Sequence, residues 1–155
     1  MIVGEMGIVI REVDSDDVEI VSTFVGYLLA ELTGGDAPNA VALKQTALEV
    51  LANNSVTGLL ALRGETPVGL IMLNECAAIY AGGRFGEISE LYVSPQQRST
   101  GVAAQLVAEA AAYGQRKGWQ RLEVGAPTQP EWKRTVEFYE RNGFAEVGPR
   151  LRRLI

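Results

Sequence analysis

The alternation of apolar and polar positions divides the chain into stretches of two periods. Residues Ile8 to Val13 read Ile-Val-Ile-Arg-Glu-Val, a β-branched run that predicts a first strand. The period then lengthens. Asp14-Ser15-Asp16-Asp17 offers N-cap oxygens and negative charge, and Val18, Val21, Val25, Leu28 and Leu29 recur at helical spacing, predicting a helix to Leu32. Thr33-Gly34-Gly35-Asp36 breaks it. Pro38 is expected in the first turn of a second helix marked by Ala40, Leu43, Ala47, Leu48 and Leu51 and ending near Asn53-Asn54. Leu59 to Arg63 and Pro67 to Tyr80 are strand-like runs joined by a loop short enough for an antiparallel hairpin. After Gly82-Gly83, alternation over Arg84 to Val93 puts Phe85, Ser89, Leu91 and Val93 on one face and Ile88 and Tyr92 on the other. This strand is expected inside the sheet, so both faces can be apolar.

A helix from Gly101 to Lys117 is expected to bury Val102, Leu106, Val107, Ala110 and Ala111, with Lys117-Gly118 as its end. Arg121 to Gly125 reads as a strand. Thr128-Gln129-Pro130-Glu131 has the spacing of a capping box, predicting a helix from Pro130 to Arg141. Phe144 to Val147 and Leu151 to Leu154 are expected as short closing strands around Gly148-Pro149. The predicted order is β-α-α-β-β-β-α-β-α-β-β, and no internal repeat, low-complexity segment or linker interrupts it.

Composition narrows the class. A length of 155 residues makes one domain, residues 1–155, able to bury a core without disulfide or metal staples. Hydrophobic residues at 47% and charged residues at 21% are ordinary for a globular chain, and no apolar run approaches the ~20 residues of a membrane span. The net charge of −5 raises no attraction toward phosphate backbones, so neither nucleic acid nor membrane is an expected partner. Met1 to Gly7 lacks the basic start and apolar middle of a secretion signal, making the cytoplasm the default location. With one Cys, Cys76, and no His, Ser-His, Cys-His and His-ligated zinc chemistries are excluded, and no metal is expected. A lone Cys in an apolar strand reads as a small hydrophobe rather than an acyl-carrying nucleophile.

The most informative stretch is the turn Ser94-Pro95-Gln96-Gln97-Arg98-Ser99-Thr100-Gly101-Val102-Ala103 between a strand and a helix. Such a turn exposes backbone N–H groups without intrahelical partners, and the helix dipole favours an anion there. Gly-x-x-x-x-Gly-Lys-Ser/Thr and Gly-x-Gly-x-x-Gly, the better-known phosphate loops, are both missing from the chain. Glu90-Leu91-Tyr92-Val93-Ser94-Pro95 followed by Arg98-x-x-Gly101-x-Ala103 resembles the Gln/Arg-x-x-Gly-x-Gly/Ala signature of the GNAT superfamily of acyl-CoA-dependent N-acetyltransferases. Downstream, Phe138-Tyr139-Glu140-Arg141-Asn142-Gly143-Phe144 is similar to the family's Tyr-x-x-x-Gly-Phe element.

The resemblance implies the family's α+β, three-layer fold, with a mixed, mostly antiparallel sheet of about seven strands flanked by four helices. It implies acetyl-CoA as donor, its pyrophosphate cradled by the backbone of Arg98, Ser99, Thr100, Gly101, Val102 and Ala103, and its pantetheine arm paired with the main chain of Leu91, Tyr92 and Val93. Arg98 is open to two readings, a phosphate contact and a solvated residue whose backbone alone matters. Two positions depart from the family: Trp132 stands where Asn is common and Thr135 where Ala is usual.

An acceptor ammonium with a pKa of about 10.4 must lose a proton before it attacks a thioester. The resemblance implies a strand carboxylate as base, with Glu90 first, Glu87 second and a water relay using neither as a third reading. Desolvation in an apolar region raises a carboxylate toward a useful range. Tyr139 is the implied general acid for the departing CoA thiolate; its alternative reading is a core aromatic sharing a helical face with Trp132 and Val136. Backbone N–H groups near Leu91 or Tyr92 would polarise the carbonyl.

The expected activity is transfer of an acetyl group to an amine of a small molecule or a protein amino group by direct attack in a ternary complex. A non-catalytic acyl-CoA sensor is the alternative. Arg150, Arg152 and Arg153 form the one basic cluster, read as a solvated face or a docking site for an acidic acceptor or a ribose phosphate. The acceptor surface is expected from the first two helices and the closing strands. The apolar edge of Phe144 to Val147 could be covered by a second copy, making a homodimer.

Overall fold

In the computed structural model, residues 2–3, 7–36, 38–125 and 132–155 are described. Six strands form one sheet whose spatial order follows the chain, β1 (Ile2–Val3), β2 (Ile8–Glu12), β3 (Val56–Arg63), β4 (Thr66–Ala78), β5 (Gly83–Val93) and β6 (Leu122–Val124). Neighbours are antiparallel up to β5, and β5 and β6 are parallel. The two-residue turn Gly64-Glu65 closes the expected hairpin, with Arg63 opposite Thr66. A parallel pair cannot be joined by a tight turn, and α3 (Val102–Lys117) supplies the crossover.

The helices lie on opposite faces. Val21 and Phe24 of α1 (Val18–Leu32) pack with Leu60, Leu70, Met72 and Tyr92, and α2 (Ala40–Leu51) joins α1 on that side. Val102, Leu106, Val107 and Ala110 of α3, with Tyr139 of α4 (Lys133–Arg141), pack with Leu59, Ala61, Ile71, Leu73, Ile88 and Val93. Consecutive residues Leu59, Leu60 and Ala61 thus feed the two cores alternately, as a strand's period of two requires. Each fully buried Leu or Ile contributes about 1.5–3 kcal/mol, so the central strands carry much of the stability.

Local chemistry sets the helix starts. Asp14 caps the single 3-10 turn Ser15–Asp17 that leads into α1, accepting from the Asp16 N–H while the Asp17 carboxylate accepts from the Asp14 N–H. The buried Asp17 carboxylate also takes both terminal nitrogens of Arg11 at 2.7 and 2.9 Å. Asn39, not Pro38, opens α2, because its side chain accepts from the N–H groups of Val41 and Ala42; Pro38 precedes the cap instead of occupying the first turn.

Other expectations are corrected. The closing strands Phe144–Val147 and Leu151–Leu154 do not form: residues 144–155 carry no helix or strand, and Val147, Leu151 and Leu154 are exposed. Apolar alternation alone does not make a strand when neither a paired backbone nor a covering face is present. Among the described residues the sheet therefore has six strands, not seven, with β1 unforeseen because two residues are too short for periodicity to reveal. The strand edge expected to receive a second copy at Phe144 to Val147 is likewise not formed. In α3, Ala111 is exposed and Gly114 is the buried residue. The expected capping box Thr128 to Glu131 lies outside the described residues, and α4 is described from Lys133.

Candidate active site

Strand β5 is irregular where the chemistry was expected. Leu73 pairs with Ile88 but Met72 pairs with Glu90, so Ser89 is an extra residue, a β-bulge. The bulge reverses the side-chain alternation. Ile88 joins Leu91 and Val93 on the α3 side, while Phe85 lies with Tyr92 on the α1 side, contrary to the regular alternation expected from the sequence. Glu87 is opposite Asn74 and Glu90 opposite Met72, so both carboxylates share the α1 face.

Strand β6 leaves β5 at the same place. Gly86, Glu87 and Ile88 pair with Leu122, Glu123 and Val124, and beyond Ile88 the β6 side of β5 has no partner strand among the described residues. Among the described residues a gap therefore opens beside Ser89 to Val93. The Ser94 N–H donates to Val68 O, toward β4, so strand alternation turns the polar backbone groups of Leu91 and Val93 toward the gap and those of Tyr92 toward β4. The Val93 carbonyl accepts from Arg98 Nε at 2.9 Å. Leu91 presents its N–H and C=O to the gap without a partner among the described residues.

Trp119 ties β5 to β4 at the end where β6 is paired. Its ring lies over Gly86, where a Cβ would meet ring carbons at 2.3 and 2.4 Å, and its Nε1 donates to Glu75 Oε1 at 2.7 Å. Any side chain at Gly86 would displace the ring.

The mouth of the gap is the loop from Pro95 to Gly101. Ser99 and Gly101 both have positive φ, 63° and 92°, which turns successive peptide groups into a concave array. The N–H groups from Ser99 through Ala104 have no acceptor among the described residues. Gly101 faces open space, with nothing within 4 Å of where a Cβ would lie. Such an array at the N-terminus of α3 fits an anion of pyrophosphate size.

Arg98 does not point along this array. Its Nη2 is 2.6 Å from Glu31 Oε1 on α1, and its guanidinium lies 5.5 Å from the centre of the Tyr92 ring. The structure thus favours a backbone role for position 98, with the side chain bridging to α1. Tyr92 is packed against Phe24 and Tyr27; burial, with Glu31 adding, pushes its hydroxyl above the ordinary range.

The candidate proton-transfer groups fall on different sides. Glu90 is half-buried, and its carboxylate accepts a short hydrogen bond from the Ser89 hydroxyl. Glu87 is taken by Arg150, whose Nη2 lies 2.7 Å away. Neither glutamate has the apolar enclosure expected of it. Tyr139 is buried between Phe138 and Phe144 in the α3-side core, and burial pushes its hydroxyl up to about 12. Tyr139 is thus a core aromatic, on the face that carries Leu91. Cys76 is half-buried; burial first, then Glu87 and Glu123, push its thiol up, so it stays protonated and a poor nucleophile.

The Acetyltransferase (GNAT) profile matches residues 15–144, spanning the bulged strand, the phosphate-type loop and α4. The chain belongs to the GNAT acetyltransferase family. Among curated proteins none matches the sequence. The acetyltransferase fold is shared with a possible acetyltransferase from Clostridium difficile 630, at 19% identity and a TM-score of 0.82, covering 96% of this chain and 97% of that one. It is shared also with a ribosomal-protein-alanine N-acetyltransferase from Brucella melitensis biovar Abortus 2308, at 19% identity and a TM-score of 0.74, covering 95% and 99%. An aminoglycoside N-acetyltransferase in complex with CoA has 19% identity and a TM-score of 0.75, covering 96% and 94%.

The sequence of this acetyltransferase singles out Glu90, Glu87, Tyr139 and the loop as candidates. The bulge at Ser89, the Arg98–Glu31 bridge and the Arg150–Glu87 pair were not foreseen. Only the last had a sequence signal, the basic cluster that contains Arg150.

Proposed function

We propose that this acetyltransferase moves an acetyl group from acetyl-CoA to a primary amine, of a small molecule or a protein, by direct attack in a ternary complex. The observation that carries the reading is the gap between β5 and β6 beyond Ile88, opening beside a loop of unpartnered N–H groups. The loop suits the donor's pyrophosphate and the free polar backbone of Leu91 suits its amide arm. The Leu91 N–H, rather than that of Tyr92, is the donor aimed at negative charge developing on the acetyl carbonyl oxygen.

The amine approaches from the α1 face, where Glu90 takes its proton directly or through a water as the new C–N bond forms. The C–S bond breaks toward the other face, where Tyr139 lies. At about 12 its hydroxyl stays protonated at neutral pH and sits above an ordinary thiol at about 8.5, so it serves the departing sulfur by donating a hydrogen bond, and the released CoA thiolate takes its proton from solvent. Base and hydrogen-bond donor thus stand on opposite faces of a split sheet.

Two measurements test the proposal. Saturating acetyl-CoA should raise the thermal midpoint by about 5–10 °C, with no comparable effect of NAD or ATP. Free-thiol release across an amine panel then distinguishes an enzyme from a sensor. Binding of acetyl-CoA with release no faster than in buffer would reject the catalytic reading.

A further inference from the structure

A cation of the chain's own stands where β5 and β6 part. Ile88 and Val124 are the last paired residues, Glu87 precedes one and Gly125 follows the other. Arg150 reaches into this notch from the exposed C-terminal segment. Besides its 2.7 Å contact with Glu87 Oε2, its guanidinium lies over Gly125, where a Cβ would come within 2.9 Å of Nη1. One carboxylate on the acceptor face is thus occupied by a cation, while Glu90, on the same face, holds only the Ser89 hydroxyl among the described residues.

The arginine is lightly held. Its side chain is 62% exposed, Glu87 is its one ion-pair partner among the described residues, and the flanking segment has no helix or strand. A pair of this exposure shifts an equilibrium about fivefold at most, so another cation can exchange with it.

We propose that Arg150 occupies the seat of a second cationic group of the acceptor, and that Glu87 selects acceptors carrying one. This rests on the amine-acetyltransferase reading. The non-reacting cation displaces Arg150 and pairs with Glu87, while the reacting nitrogen gives its proton to Glu90. A monoamine has nothing to offer Glu87 in place of the arginine.

The test compares 1,5-diaminopentane with n-pentylamine, equal in chain length, by CoA release and by calorimetric titration into CoA-saturated protein. An ion pair gained only by the diamine should give it a kcat/KM advantage of about two- to fivefold, expressed in KM. Glu87→Gln should bring the ratio of the two amines near unity. Arg150→Met, at an exposed position that should tolerate it, should lower KM for the diamine and tighten its calorimetric Kd, with little effect on kcat. Equal values for the two amines in the native protein, a ratio that survives Glu87→Gln, or weaker diamine binding in Arg150→Met would each overturn the proposal. If no amine releases CoA, the transferase reading fails; the calorimetry still decides the seat, since diamine binding indifferent to both substitutions, or absent, rejects it.

Discussion

The guanidinium of Arg98 is bonded to the carboxylate of Glu31, at 2.6 Å, across 67 residues of sequence. The bond ties the start of the phosphate-type loop to the end of α1, and Arg98 also caps the Val93 carbonyl and covers the Tyr92 ring. A residue at this signature position would act on the donor by holding the loop, not by touching phosphate.

A double-mutant cycle separates these roles. Glu31→Gln and Arg98→Gln should each raise KM for acetyl-CoA by about two- to fivefold, and the double variant should be no worse than the poorer single, because both break one partly exposed bond. Additive effects, or a Glu31→Gln variant that binds acetyl-CoA normally, would show Arg98 to be a direct phosphate ligand.

Glu90→Gln removes the proposed base while keeping size and a hydrogen-bond acceptor for Ser89. Turnover should fall about 10²- to 10⁴-fold with acetyl-CoA affinity retained, the ordinary worth of a positioned general base. A kcat within a few-fold of the native value would pass the role to a water relay.

Tyr139→Phe retains the ring packing against Phe138 and Phe144 and deletes the hydroxyl. Steady-state kinetics should show a lower kcat at an unchanged thermal midpoint. The raised pKa carries its own signature. A tyrosine at about 12 when folded and about 10 when unfolded keeps its proton longer in the native state, so stability is intact below pH about 10 and declines as pH rises toward about 12. The Phe variant should lose that part of the alkaline decline.

Asp17 makes the opposite prediction at the acid end. Its hydrogen bonds from Arg11, opposed by burial and aided by the Asp14 N–H, hold the carboxyl below its ordinary range. The stability it contributes is present above the unfolded value near 3.8 and is lost as pH falls through the lower folded value. Asp17→Asn should cost about 1.5–3 kcal/mol at neutral pH by urea unfolding and flatten the acid limb of the stability profile. An unchanged acid limb would assign acid sensitivity to other carboxylates.

Local pattern determined a great deal about this chain. Helical spacing from Val18 to Leu29 and from Val102 to Ala110, the strand-like runs of β3 and β4, and the Arg98-x-x-Gly101-x-Ala103 turn depend on neighbours within a few residues, and these appear close to where they were expected. The family resemblance was legible for the same reason, since a loop that cradles an anion with its backbone needs small residues and turn chemistry at fixed local spacing.

What only the tertiary structure decided are relations between segments far apart in sequence. Glu87 and Glu90, three positions apart, would lie on opposite faces of a regular strand; the register of β4 inserts Ser89 as a bulge and brings them to one face. Phe144–Val147 and Leu151–Leu154 have the composition of strands but find no ladder, because pairing requires a partner backbone that no local pattern encodes. Arg150 meets Glu87, and Arg98 meets Glu31, only after the sheet has brought them together. The sequence by itself thus determined the elements and the chemistry available to them, while cross-strand register and long-range packing decided which carboxylate is free, which is occupied, and on which side of the sheet each stands.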